Sequence, residues 1–300
     1  MTDICIIGAG AAGLTAAIYA RRAGHSVVVF EKSLPGGQIG QATDVENYPG
    51  TGKIGGADLA MRMFEQATGY GADIRFEEII EVKLNGKSKI IITQAGEIEA
   101  KAVIFAGGAR RRLLGCPGEE RLSGHGVSYC ATCDGAFYKG KQVAVVGGGN
   151  TALEDALYLA NLCEKVYLIH RRDEFRGESV LAEACRNNEK IELVLSAHVD
   201  EIFGKTVVEE VTVTSGSETQ KLAVSGVFIA VGLIPDTSIL DGQVELENGY
   251  ILAGEDGITN LPGVFAAGDC RRKQLRQVIT ACADGANAAF SAGAYLINNK

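Results

Sequence analysis

An α/β fold of two similar units, the second inserted into the first, is what this sequence predicts, and three observations predict it. A pattern of apolar strand, glycine-rich turn, helix and second strand occupies residues 4–31 and returns at residues 142–170. The two copies keep register, since Gly13 to Glu31 and Ala152 to His170 span the same 18 positions. The chain then has two crossing segments, residues 113–117 and a return starting at Pro235, with the second copy between them. Repetition of a whole supersecondary unit marks two like domains.

Taking the chain in order, residues 4–7 are a short apolar run, Gly8-Ala9-Gly10-Ala11-Ala12-Gly13 a turn, and residues 14–23 an Ala-rich helix. In such a turn the first glycine makes the bend, the second lets backbone approach a pyrophosphate and the third lets helix pack on strand. Residues 26–30 form the next strand, and Glu31 at its end can accept hydrogen bonds from a ribose diol. Pro35-Gly36-Gly37-Gln38 and Glu46-Asn47-Tyr48-Pro49-Gly50 bracket a loop too long for a plain connection. Gln38 and Asn47 suit either the edge of a flavin ring or ordinary turn chemistry. Residues 55–69 read as helix and residues 74–102 as short strands with a hairpin turn at Asn85-Gly86. Residues 102–106 make another buried strand.

In the second copy residues 142–146 are strand, Gly147-Gly148-Gly149-Asn150-Thr151-Ala152 the turn, residues 156–162 helix and residues 166–169 strand. Where the first copy has Glu31, the second has His170-Arg171-Arg172, with Arg176 four further on. Guanidinium groups bind a ribose 2'-phosphate that a carboxylate repels. The first copy therefore suits a dinucleotide with free ribose hydroxyls and the second suits NADPH. The alternatives are a solvated basic face and, for His170, a catalytic base. Residues 227–231 close the second unit, Gly268-Asp269 ends a later strand where an acid can accept from a ribityl hydroxyl, and Arg276-Gln277 precede a small-residue helix over 278–294. Both units are thus expected to be Rossmann-like, three-layer and dinucleotide-binding.

Composition agrees with this and excludes other classes. A chain of 300 residues, 46% apolar and 22% charged, suits two ordinary domains, and 39 glycines against 5 prolines suit many tight strand-to-helix turns. A net charge of -8 repels nucleic acid and anionic membrane on average. Residues 1–3 lead straight into a strand with no basic leader, and no apolar run approaches the ~20 residues of a membrane span. Eight irregularly spaced cysteines then read as reduced thiols, which places the chain in the cytoplasm.

The chemistry is expected at Cys130-Ala131-Thr132-Cys133-Asp134-Gly135. Two cysteines at this spacing on a tight turn can cycle between dithiol and disulfide. Half of a zinc site has the same spacing, but the remaining cysteines, Cys5, Cys116, Cys163, Cys185, Cys270 and Cys282, supply no second half. Asp134 is the candidate proton donor to a leaving thiolate, its alternative role being a turn or helix cap.

These segments together resemble the low-molecular-weight, bacterial-type thioredoxin reductases, FAD-containing members of the pyridine nucleotide-disulfide oxidoreductases, from Gly8 to about Ala292. The resemblance implies an FAD-binding domain over residues 1–113 and 239–300 and an NADPH-binding domain over residues 114–238 that carries the redox disulfide. It implies electron flow from NADPH through FAD and Cys130-Cys133 to thioredoxin, with Cys133 nearer the flavin, in a homodimer. On the family pattern Gly8, Gly10, Gly13, Glu31, Gln38, Asn47, Asp269, Arg276 and Gln277 contact FAD. Gly147, Gly149, Asn150, Thr151, His170, Arg171, Arg172 and Arg176 contact NADPH, and no metal is expected. The chain departs from the pattern at Ala106-Gly107-Gly108, where Ala-Thr-Gly is usual, and at Cys270, where an aliphatic residue is common and a packing role is expected. Because cysteines and NADPH turn share the inserted unit, rotation about residues 114–117 and 234–238 is expected between half-reactions. A ferredoxin-fed reductase would not need the arginines, a ferredoxin-NADP reductase would not need the cysteine pair, and a non-catalytic thiol sensor would not reduce a disulfide dye.

Overall fold

The computed structural model describes residues 1–42 and 44–299, so Thr43 and Lys300, which fall within the expected FAD-binding ranges, lie outside the described residues. The chain forms two compact units, Met1–Arg110 with Ile234–Lys300, and Arg111–Leu233.

The first unit is built on strand β1 (Thr2–Ile7). It is flanked in parallel by β2 (Val27–Glu31) and by β6 (Gly96–Phe105), with β3 (Asp73–Phe76) parallel beyond β2. The ten-residue β6 begins antiparallel to β5 (Lys89–Thr93), which pairs in turn with β4 (Ile79–Lys83), and ends parallel to Val264–Ala266. Burial on both faces explains the unbroken apolar runs of β1 and β2. Helix α1 (Ala11–Arg22) covers the sheet and packs on the C-terminal helix Val278–Asn298. The two helices approach so closely that a Cβ on Gly285 would lie 2.1 Å from the Ala12 carbonyl oxygen. Helix α2 (Gly56–Gly69) packs beside α1.

The second unit repeats the plan. Its parallel five-stranded sheet runs Ile191–Val194, Lys165–Ile169, Gln142–Gly147, Gly226–Ala230, Val127–Ser128. Helix Asn150–Ala160 follows the central strand, and a three-stranded antiparallel meander, Ala197–Phe203, Glu210–Ser215 and Glu218–Ala223, completes the unit. In both units the central strand ends where its neighbours lie to either side, the position at which open α/β sheets bind ligands.

Element limits differ from the sequence expectation in an informative way. Helix α1 starts at Ala11 and its counterpart at Asn150, because Gly10 and Gly149 are themselves the N-caps and the rest of each glycine motif is the first helical turn. The hairpin at Asn85-Gly86 spans five residues between β4 and β5 and not two. Its width is held by the buried Lys89 ammonium, which donates to the carbonyls of Leu84 (2.8 Å) and Gly86 (2.7 Å). The last helix continues past Ala294 to Asn298.

Candidate active site

Cys130 follows the edge strand Val127–Ser128 and caps the short helix Ala131–Asp134. Cys130 and Cys133 are joined as a disulfide with Cα atoms 5.3 Å apart, so this pair is a redox couple and not half of a zinc site. The turn is locked by its own backbone: the amides of Cys133 and Asp134 donate to the Cys130 carbonyl at 3.2 and 3.1 Å. Asp134 makes no side-chain cap. Its carboxylate instead accepts from the Ser128 hydroxyl at 2.6 Å, and that same hydroxyl oxygen accepts from the Cys130 amide at 3.1 Å. Ser128, buried on the strand, therefore ties the acid to the first cysteine.

Sequence reasoning missed Ser128, although a hydroxyl two residues before the first cysteine was a visible signal. It also missed Glu119, whose buried carboxylate accepts from the amides of Leu114 (3.0 Å) and Gly115 (2.7 Å) and from the Tyr129 hydroxyl (3.0 Å). The Arg111 guanidinium lies 4.8 Å from the centre of the Tyr129 ring. Glu119 thus fastens the segment entering this unit to the residue just before Cys130.

The other six cysteines are free, and burial raises every one of their thiols, Cys116 and Cys185 to about 11 and Cys270 to about 12. Cys270 is fully buried and donates to the Ala267 carbonyl at 3.2 Å. Among the described residues no group of three or more His, Cys, Asp or Glu is placed to hold a metal ion.

In the first unit Gly8 has φ +102°, and a Cβ there would lie 2.4 Å from the Ala106 carbonyl oxygen. One on Gly13 would lie 1.8 Å from the Gly8 carbonyl oxygen, whereas one on Gly10 would meet nothing within 4 Å. Space therefore opens at the N-terminus of α1, where no side chain caps the free amides. Glu31, at the end of β2, accepts from the Ala9 amide (2.9 Å) and from the Ser33 amide (2.9 Å) and hydroxyl (3.1 Å). Asn47 donates to the Gln277 side chain at 2.9 Å across 230 positions of sequence, and Gln277 closes a capping box with Thr280 at the start of the last helix. Gln38 donates to the Ala109 carbonyl. Two buried atoms here, Asp269 Oδ1 and Arg276 Nε, have no hydrogen-bond partner among the described residues, and burial raises the Asp269 pKa. An open glycine cradle with an unpartnered acceptor and an unpartnered donor fits a dinucleotide carrying hydroxyls and phosphates.

The second unit gives the same test the same result. A Cβ on Gly147 would lie 2.4 Å from the Ala230 carbonyl oxygen, while one on Gly149 meets nothing within 4 Å. Asn150 and Glu178 exchange two bonds of 2.8 and 2.9 Å, which brace the turn, and Thr151 is exposed. The four basic residues divide into two kinds. His170 is 5% exposed, stacked on Phe175, and so close beneath the turn that a Cβ on Gly148 would lie 2.2 Å from its ring. Burial lowers its pKa, and its Nε2 has no partner among the described residues. Arg171, Arg172 and Arg176 are exposed and, among the described residues, form no ion pair, and the Arg176 amide donates to the Gly148 carbonyl at 2.7 Å.

Residues 2–285 match the family model described as pyridine nucleotide-disulphide oxidoreductase. The thioredoxin reductase of Peptoclostridium acidaminophilum is 44% identical, over 99% of this chain and 98% of its own. Among solved structures, thioredoxin reductase from Streptococcus pyogenes is 40% identical with a TM-score of 0.94, covering 99% of both chains. Lactococcus lactis thioredoxin reductase, in what is termed the FR conformation, is 38% identical with a TM-score of 0.68, over 99% of this chain and 100% of its own.

Proposed function

Since the chain belongs to the pyridine nucleotide-disulphide oxidoreductase family, and within it to the thioredoxin reductases, we propose that its residues carry electrons from NADPH through FAD and the Cys130-Cys133 disulfide to thioredoxin. The observation that carries this is the disulfide itself, bonded and braced beside an acid in the unit that also holds the arginine-flanked glycine turn. When bound, FAD supplies two-electron exchange between a nicotinamide and a disulfide. In the first unit the open space at Gly10 and the free amides at the N-terminus of α1 would hold its pyrophosphate, with Gly8 and Gly13 shaping the turn, and Glu31 and Asp269 would accept from its hydroxyls. Gln38, Asn47, Arg276 and Gln277 face the remainder. In the second unit Gly147, Gly149, Asn150 and Thr151 hold the NADPH pyrophosphate, and Arg171, Arg172 and Arg176 grip the 2'-phosphate over a turn floored by neutral His170.

The reduced pair then works by thiol exchange. One thiolate of Cys130 or Cys133 attacks a sulfur of the thioredoxin disulfide, forming a mixed disulfide and expelling a thioredoxin thiolate. The second enzyme thiolate attacks its neighbour, restoring Cys130-Cys133 and releasing the other thioredoxin sulfur. Asp134, oriented by Ser128, delivers the proton that a leaving thiolate takes up.

Residues 1–113 with 239–300 make the FAD-binding domain and residues 114–238 the NADPH-binding domain, and the two rotate about residues 114–117 and 234–238 between half-reactions. Support for this is the sharing of one unit by the cysteines and the NADPH turn, while the flavin segments lie in the other. The enzyme works as a cytoplasmic homodimer. Among the described residues no helix is long and apolar enough to cross a membrane. The outer face of the C-terminal helix presents Phe290 at 80% and Ile297 at 64% exposure, which suits a self-complementary contact. A coupled assay with thioredoxin, run with NADPH, NADH and reduced ferredoxin in parallel, tests the whole proposal. NADPH should support turnover best, and turnover with ferredoxin alone would overturn it.

A further inference from the structure

Three charged side chains lie buried together in the first unit and have no part in the scheme above. Asp284, inside the C-terminal helix, accepts from Arg271 at 2.8 and 2.6 Å and from Lys273 at 2.7 Å. The Arg271, Lys273 and Asp284 side chains are only 9%, 6% and 6% exposed. The same Asp284 oxygen that meets Lys273 also accepts from the Gly268 amide at 2.9 Å. Gly268 has φ +80° and immediately precedes Asp269, whose Oδ1 is buried without a partner among the described residues. Two cations against one anion leave a surplus positive charge, and burying such a surplus is costly unless something uses it.

We propose that this trio is a positioning device for the flavin-binding turn, in which Asp284 fixes the Gly268 amide and the surplus charge of Lys273 offsets part of the cost of burying an Asp269 carboxylate that accepts from the ligand's hydroxyls. The proposal rests on the assignment of Asp269 to FAD. The charged groups that act on Asp269 are Lys273 and Arg276 on its own loop, which favour its ionised form, and Asp284 on the C-terminal helix, which opposes it. Burial opposes it as well and outweighs the cations, raising the carboxyl pKa overall. Removing Lys273 takes away one of two favourable charges, so Asp269 holds its proton to a higher pH. FAD binding that needs the carboxylate is then lost as pH falls through a higher midpoint than in the wild type. Below that midpoint affinity falls about tenfold per pH unit.

Lys273→Met is the clean variant, because Arg271 and Asp284 remain as a neutral pair and the Gly268 amide keeps its acceptor. FAD affinity of the flavin-free full-length protein, read by quenching of flavin fluorescence from pH 5 to 8, is compared for wild type, Lys273→Met, Asp269→Asn and the double variant. Thermal unfolding of each flavin-free protein checks the fold. The expected result is a loss of affinity in Lys273→Met that starts at higher pH than in wild type. In the double variant Lys273→Met should add nothing to the weak, pH-independent binding of Asp269→Asn. A Lys273→Met profile superimposed on wild type, with Asp269→Asn weakened, overturns the proposal and leaves the Asp269 assignment standing. Wild-type affinity and profile in Asp269→Asn overturns that assignment and the proposal with it.

Discussion

Two glycines of one motif should respond oppositely to the same small change. An alanine Cβ at Gly13 would lie 1.8 Å from the Gly8 carbonyl oxygen, which belongs to backbone and cannot swing aside. At Gly10 it meets no protein atom within 4 Å, and the φ of -75° is ordinary for alanine. Gly13→Ala gains about 1 kcal/mol of helix propensity, but an overlap this deep with backbone costs the upper part of the overpacking range, about 2–3 kcal/mol. A net loss of about 1–2 kcal/mol lowers the Tm of a unit this size by about 2–8 °C. Gly10→Ala should leave the flavin-free Tm within about 1 °C of wild type, since a surface change away from strain is worth under about 0.5 kcal/mol. Its added methyl occupies the space above the α1 amides, so FAD affinity should fall at least tenfold. Thermal unfolding of the flavin-free protein and an FAD titration read the two effects separately. A Gly10→Ala protein that loses as much stability as Gly13→Ala, or that binds FAD like wild type, would refute the assignment of an open cradle to Gly10 and a packing contact to Gly13.

Replacing Arg171, Arg172 and Arg176 together by alanine should raise KM for NADPH about 10- to 100-fold, the value of one or two charge-assisted contacts, with KM for NADH nearly unchanged. Steady-state kinetics with both nucleotides check this. Ser128→Ala should slow the thioredoxin half-reaction more than NADPH-dependent reduction of the bound flavin, because Asp134 loses its 2.6 Å donor and the Cys130 amide its acceptor, and stopped-flow measurement separates the two steps. Phe290→Glu should yield a monomer by light scattering if the exposed face of the last helix is the homodimer contact, and an unchanged dimer places that contact elsewhere. Asp284→Leu should unfold the first unit at lower temperature than Lys273→Met does, since it strands two buried cations where a neutral pair remained, a difference of about 3–5 kcal/mol.

What could be read from the chain alone was whatever is local. The glycine motifs, the C-x-x-C and the basic run carry their meaning in spacing, so both turns and the redox pair were legible from residues 4–31 and 130–170. Contacts made by distant segments were not. Asn47 meets Gln277 over 230 positions, and Asp284 holds Gly268 and Arg271 from a helix whose small-residue pattern gives no hint of a buried charge. Burial was illegible too: His170 and Arg171 are neighbours in sequence, yet one lies under the turn and the other stands in solvent. Helix starts were placed late because the glycine motif, read as a loop, is already the first turn of each helix.

The most direct measurement counts thiols. Wild-type protein with bound FAD is treated with excess NADPH without oxygen, then denatured and alkylated, and the labelled sites are located by mass spectrometry. Six cysteines are free before reduction, and all eight should be labelled after it, the two new sites being Cys130 and Cys133. An unchanged six, with the flavin fully reduced, would contradict the transfer of electrons from flavin to this disulfide.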